Sequence, residues 1–191
     1  MAQTAAAGVD LRRPSVLRVG TVVWLASELM FFAGLFAAYF ALRSVNASWP
    51  PDDVELGTLR AGVFTGFLVL SSFTYRTAVH RAGEGDERGT LRWTMVTFAL
   101  GALFLANQAI EYAELGFTPQ THAYGSIFYL MTGFHGAHVL GGLILMLAVL
   151  GVAMGRTSRA PLHETVVVSE YYWHFVDVVW VAMFATIYLL R

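Results

Sequence analysis

The sequence predicts an all-α fold, a polytopic membrane helical bundle with five transmembrane helices. Two observations predict the class. Hydrophobic residues make up 57% of the 191 and charged residues only 13%, with a mean hydropathy of +0.58. An ordinary soluble domain carries about twice that share of charge. The apolar residues also gather into five long runs, each sufficient to cross a bilayer at about 1.5 Å of rise per residue. The length corresponds to one domain: a polar cytoplasmic segment over residues 1–18, then a five-helix domain over 19–191.

The first run, 19–42, is uncharged apart from Glu28, which lies near its middle in Trp24-Leu-Ala-Ser-Glu28-Leu-Met-Phe-Phe-Ala-Gly34. That places the carboxylate roughly 15 Å below the surface, a depth at which charge is costly and function is the default reading. The run is too long for a typical signal peptide and is expected to be retained. The second run, 58–79, is bounded by Arg60 and Arg76, and the third, 92–113, ends in Asn107-Gln108-Ala-Ile-Glu111-Tyr112. The fourth, 124–154, carries His135 and His138; the fifth, 166–190, carries Glu170, His174 and Asp177. Pro50-Pro51, Gly83-Glu-Gly-Asp86, Pro119 and Pro161 punctuate the connections.

Orientation follows from the arginines, the only basic residues besides histidine. With the N-terminus inside, Arg12, Arg13, Arg18, Arg76, Arg81, Arg88, Arg92, Arg156 and Arg159 fall inside, against Arg43, Arg60 and Arg191 outside. Nine against three favours N-inside and C-outside. The net charge of −1 offers no basic surface for nucleic acid. The absence of cysteine excludes disulfides, iron–sulfur ligation and thiolate metal sites.

At 100° per residue, Glu170, His174 and Asp177 share about 60° of arc on the fifth helix, a stripe that should face protein or water. On the fourth helix Gly133, Ala137 and Gly141 form a small-residue seam suited to close backbone contact. Met131, His135, His138 and Gly142 lie roughly 130° around from it. Antiparallel helices would put His135 and His138 at the depth of His174 and Asp177, so an interhelical His–Asp hydrogen bond is expected. The same imidazoles and carboxylates are numerous enough for a metal, but structural hydrogen bonding is the stronger reading. For Glu28 two readings stand. One is a protonated acid bonded to a backbone carbonyl, with a structural or lipid-contact role; the other is proton handling.

Four strings carry a family resemblance: Ala26-Ser-Glu28-Leu-Met-Phe-Phe-Ala-Gly34, Gln108-Ala-Ile-Glu111-Tyr-Ala-Glu114, Thr132-Gly-Phe-His135-Gly-Ala-His138-Val and Tyr172-Trp-His174-Phe-Val-Asp177-Val-Val-Trp180. In this order, over residues 20–190, they resemble cytochrome c oxidase subunit III, in its short five-helix bacterial form. The resemblance implies a non-redox core subunit of a haem–copper terminal oxidase, in a bacterial plasma membrane. It implies no cofactor in this chain, with haem A and copper centres in partner subunits I and II. It also implies packing beside subunit I, bound phospholipid, and support of proton uptake and of the active site's endurance. A small subunit IV and a larger respiratory supercomplex are further partners it admits.

Glu28 matches the family's carbodiimide-reactive carboxylate. Gln108, Glu111, His135, His138, Glu170, His174 and Asp177 are expected to form an interhelical polar network, with Arg156 a contact for a lipid phosphate. Longer members have two further N-terminal helices that wall a lipid cleft; here 18 residues precede the first run, which leaves that wall to another subunit or to the membrane. A quinol-oxidase subunit or a nitric-oxide-reductase-associated relative would share the architecture, and a neighbouring subunit II with a copper-binding motif would decide among them. An independent proton-coupled transporter using Glu28, Glu111 and Asp177 is a different class. It is opposed by the absence of an internal repeat and of an evident Gly/Pro-broken helix at midplane.

Overall fold

A computed structural model describes residues 15–155 and 162–190. Five α-helices make up nearly all of these residues, with no strand among them: α1 (Val16–Val45), α2 (Thr58–Gly83), α3 (Glu87–Glu114), α4 (Ala123–Gly155) and α5 (Leu162–Phe184). A π-helical segment, Ala185–Leu189, continues α5. Each helix contains or closely overlaps one of the five apolar runs. Four, all but α2, are long and apolar enough to cross a membrane by length and composition.

The ends are set by local chemistry. Ser15 caps α1 by accepting from the Arg18 amide at 3.3 Å, and Asp86 caps α3 by accepting from the Gly89 amide at 2.9 Å. Between α2 and α3 the chain reverses within Glu84-Gly85-Asp86, where Gly85 takes φ +76°, a conformation that a side chain would strain.

Consecutive helices run antiparallel, and α5 occupies the centre. Of its most apolar window 56% is buried, against 17% for α1. Helix α5 packs on α1, α2 and α4, while α3 closes the circuit between α2 and α4. One side chain fixes this arrangement. Trp173 of α5 is fully buried, its ring running between Gly101 of α3 and Gly142 of α4, and its indole N–H donates to Ser71 Oγ of α2 at 2.8 Å. About two turns further on, Trp180 donates to Thr65 Oγ1 of α2 at 2.9 Å and stacks on His135 of α4. Helices α2 and α3 join through Thr74 and Thr97 hydroxyls at 2.8 Å, and α3 and α4 through Tyr112 and Thr132 at 2.6 Å.

The small-residue seam of α4 divides its duties. Gly141 admits the Tyr172 hydroxyl, which lies 2.9 Å from where a Cβ would stand. Gly133 and Ala137 instead line a shallow groove of about 260 Å³ between α3 and α4. The close approach expected along the whole seam occurs only where α5 crosses.

A methyl group at Gly101 would sit 2.5 Å from the Trp173 ring, and one at Gly142 2.6 Å from it. Gly101→Ala and Gly142→Ala should each destabilise the bundle by about 1–3 kcal/mol through overpacking. A lowered thermal midpoint of the purified protein is the expected reading, and Gly66→Ala, which meets nothing within 4 Å, is the control.

Candidate polar site between the helices

The polar residues singled out from the sequence fall into three groups, two at mid-height and one near an end of the bundle. The first joins α1 to α4. Glu28 accepts from the Trp24 indole N–H at 3.0 Å, one turn back on the same helix, and its other oxygen lies 3.2 Å from His138 Nε2. His138 Nδ1 lies 2.7 Å from the Phe134 carbonyl, an acceptor, so Nδ1 carries a proton. The Glu28–His138 contact therefore holds one shared proton: the pair is either neutral acid with neutral imidazole or carboxylate with imidazolium. The sequence pointed to a backbone carbonyl as partner for Glu28; the partner is a side chain, because the Glu28 face of α1 meets α4 at His138. The Glu28 side chain stays 25% exposed at this seam.

The second group joins α5 to α2. His174 Nδ1 lies 2.8 Å from Ser72 Oγ, and the same hydroxyl donates to Asp177 Oδ2. His174 Nε2 lies 3.3 Å from Glu170 Oε1. The expected bond from His174 or Asp177 to His135 or His138 is not formed. Depth was matched, but the Glu170–His174–Asp177 stripe turns toward α2, while Tyr172, Trp173 and Trp180 occupy the side toward α4. His135 is buried between Phe104 and Trp180, and neither of its ring nitrogens has a hydrogen-bond partner among the described residues.

The third group lies near the end opposite the α2–α3 turn. Glu111 accepts from the Tyr188 hydroxyl at 2.8 Å and from the Gln108 amide at 3.4 Å. Arg60 donates to Asn107 Oδ1 at 2.7 Å and pairs with Glu114. The other end is held by Arg18, whose Nε donates to Glu164 at 2.9 Å. Arg156 lies outside the described residues.

The sequence did not single out Ser72, and it did not pair Tyr188 with Glu111 or Trp24 with Glu28. Trp24 and Glu28 stand four residues apart on one helix, a spacing that brings side chains together, so that pair was open to recognition. Ser71-Ser72 interrupts an otherwise apolar stretch of α2, but hydroxyls of this kind also bond back within their own helix. Among the described residues no three His, Asp or Glu side chains gather as metal ligands.

The described residues thus form an all-α bundle, four of its helices long and apolar enough to cross a membrane, in which Glu28, His138, His174 and Asp177 are engaged from helix to helix. Comparison with known proteins gives the family. The profile described as cytochrome c oxidase subunit III matches residues 10–191. A probable cytochrome c oxidase subunit 3 of Nocardia farcinica is 48% identical over 187 residues, covering 95% of this chain and 92% of the relative. A protein of the same description from Mycobacterium tuberculosis strain H37Rv gives the same identity and coverage. The cytochrome c oxidase subunit 3 of Corynebacterium diphtheriae is 45% identical, over 95% of this chain and 91% of its own length. The chain belongs to the cytochrome c oxidase subunit III family.

Replacing Glu28 tests the first group. In Glu28→Gln the carboxamide oxygen still accepts from Trp24 and its N–H₂ donates to His138 Nε2, so packing should be retained. Glu28→Ala leaves both partners bare, at a cost of about 0.6 kcal/mol on average for such bonds in membranes and up to about 1.7. Thermal midpoints of the two variants should separate accordingly, with Glu28→Gln near the parent.

Proposed function

We propose that the chain is the non-redox subunit III of a respiratory cytochrome c oxidase. It packs beside subunit I in a bacterial plasma membrane and supports proton uptake, lipid binding and stability of the complex that reduces oxygen. Its five helices all span, with residues 1–18 cytoplasmic and the C-terminus outside. In the family the haem and copper centres reside in subunits I and II, and this chain contributes none. The observation that carries the reading is how the intramembrane polar residues are engaged. Glu28, Glu111, His174 and Asp177 each bond to a side chain within this chain, so they hold helices together. Family membership over nearly the full length supplies the complex in which such a bundle works.

The end that the arginine count puts inside carries the Arg18–Glu164 pair and the α2–α3 turn; the opposite end carries Arg60–Glu114 and Arg43, which donates to the Leu190 carbonyl. Helix α2 is the least apolar of the five, packs on α3 and α5, and leaves Leu59, Val63, Leu70 and Phe73 exposed along its remaining face.

Purification in mild detergent through a tag on this chain should yield a complex with a haem A spectrum and the masses of subunits I and II. The chain purified away from those partners should show no haem absorbance and no stoichiometric copper, iron or zinc. One tightly held metal atom per chain, lost in His135→Ala or His174→Ala, would overturn the assignment.

A further inference from the structure

The α2–α5 face carries a second arrangement of groups, beyond what helix-to-helix bonding requires. At the end bearing the α2–α3 turn lies a polar vestibule of about 630 Å³, lined by Arg76, His80 and Glu84 from α2 and its cap and by His163, Glu170 and Tyr171 from α5. Glu170 lies about two turns deeper along α5 than His163 and is itself only 7% exposed. From Glu170 the contacts run without a gap. Glu170 Oε1 meets His174 Nε2 at 3.3 Å, His174 Nδ1 meets Ser72 Oγ at 2.8 Å, and Ser72 Oγ meets Asp177 Oδ2. Asp177 is seven residues beyond Glu170, about 10 Å along the helix, and its Oδ1 is buried without a partner.

Hydrogen-bond valence restricts where protons can sit. A neutral imidazole has one N–H and one acceptor nitrogen, and a hydroxyl has one proton to give. If His174 carries its proton on Nδ1, it donates to Ser72, Ser72 donates to Asp177, and Glu170 must be the protonated acid donating to Nε2. If His174 carries it on Nε2, it donates to Glu170, Ser72 donates to Nδ1, and Asp177 must be the protonated acid donating to Ser72. The two states contain the same number of protons and the same net charge. They interconvert by three short transfers in one direction: Glu170 to Nε2, Nδ1 to the Ser72 oxygen, and the Ser72 proton to Asp177. One O–H bond breaks at Glu170 and one forms at Asp177, while the imidazole exchanges tautomer and the hydroxyl exchanges its hydrogen.

We propose that Glu170, His174, Ser72 and Asp177 form a one-proton transfer chain that loads from the vestibule at Glu170 and holds the proton at Asp177 inside the bundle. The held state favours itself at that site, because a buried carboxylate oxygen without a donor is costly when charged. Beside Asp177 a groove of about 300 Å³, lined by Val69, Ser72, Phe73, His174, Val178 and Val181, opens on the same α2–α5 face. Apart from the chain's own members its lining is apolar and offers the proton no acceptor, so the proton leaves Asp177 by the reverse of the same three transfers. Other titratable groups near the chain are accounted for. From α2, Tyr75 sits beside Glu170 electrostatically, and Arg76 and His80 face the vestibule, as do Tyr171 and His163 from α5. Glu28 of α1 and His138 of α4 engage one another, His135 of α4 lies among aromatic rings, and Glu111 of α3 bonds Tyr188.

The inference deepens the proton-uptake part of the proposed function and rests on it for biological meaning, but its test does not need it. Time-resolved infrared spectroscopy after a photoacid pH jump, on the purified complex, follows the protonated-acid bands. Asp177→Asn and Glu170→Gln assign those bands by their loss. Asp177 should gain its proton at similar rates in the parent and in Ser72→Thr, which keeps the hydroxyl. In Ser72→Ala that gain should slow by about tenfold or more, the signature of a broken relay. Should Ser72→Ala fail to assemble, Glu170→Gln takes its place with the same slowing expected. Unchanged Asp177 kinetics in these variants, or no protonated acid at either residue between about pH 5 and 9, would overturn the chain. Failure of the subunit reading shows separately, as a preparation lacking subunits I and II by mass.

Discussion

Inside a membrane two apolar helices gain little by touching, since lipid tails are as apolar as leucine. Association therefore depends on close shape fit, and here the fit is concentrated at Trp173. Its ring occupies a slot that exists only because Gly101 and Gly142 lack side chains, and its N–H reaches Ser71. One residue thus sets the distance of α5 from three neighbours at once. Further along the same element come the contacts of Trp180 with Thr65 and, within the π-helical segment that continues α5, of Tyr188 with Glu111.

The polar groups divide labour by height. At the bundle ends, charged pairs such as Arg18–Glu164 and Arg60–Glu114 are half-exposed and serve more to align helices than to stabilise them. At mid-height, carboxylates are matched with imidazoles, indole N–H and hydroxyls, groups that can share a proton without requiring full separation of charge. Pairings of this type reconcile acidic residues with a low-dielectric setting. They also make proton position, rather than formal charge, the variable that distinguishes states of the molecule.

The five helices and their order were legible because each apolar run is long and each connection is marked by proline, glycine or charge. The residues of the polar groups were legible too, since Glu28, Glu111, His174 and Asp177 stand out against an apolar background. Their partners were less so. Helical spacing gives angle within one helix but not the rotation of one helix against another, so the Glu170–His174–Asp177 stripe was known while the helix it faced was not. Ser72 was invisible for a different reason: a serine in an apolar helix is satisfied by its own backbone in most settings. Gly142 was placed on the correct stripe of α4, yet nothing in the sequence announced that the bulk filling its space would be Trp173.

Helix α1 has the least buried surface of the strongly apolar helices, yet it is tied to the rest at several heights. Arg18 reaches Glu164 at one end, Glu28 meets His138 in the middle, and Tyr39 donates to the Thr186 carbonyl at 3.2 Å while Arg43 reaches Leu190 at the other. Ties spaced along an axis act as a vernier. A slide of α1 by a single turn would break every one of them together, whereas a small tilt or roll would disturb few. The helix that looks most detachable by area is thus locked against piston motion, and any signal passing through it must travel as rotation or tilt.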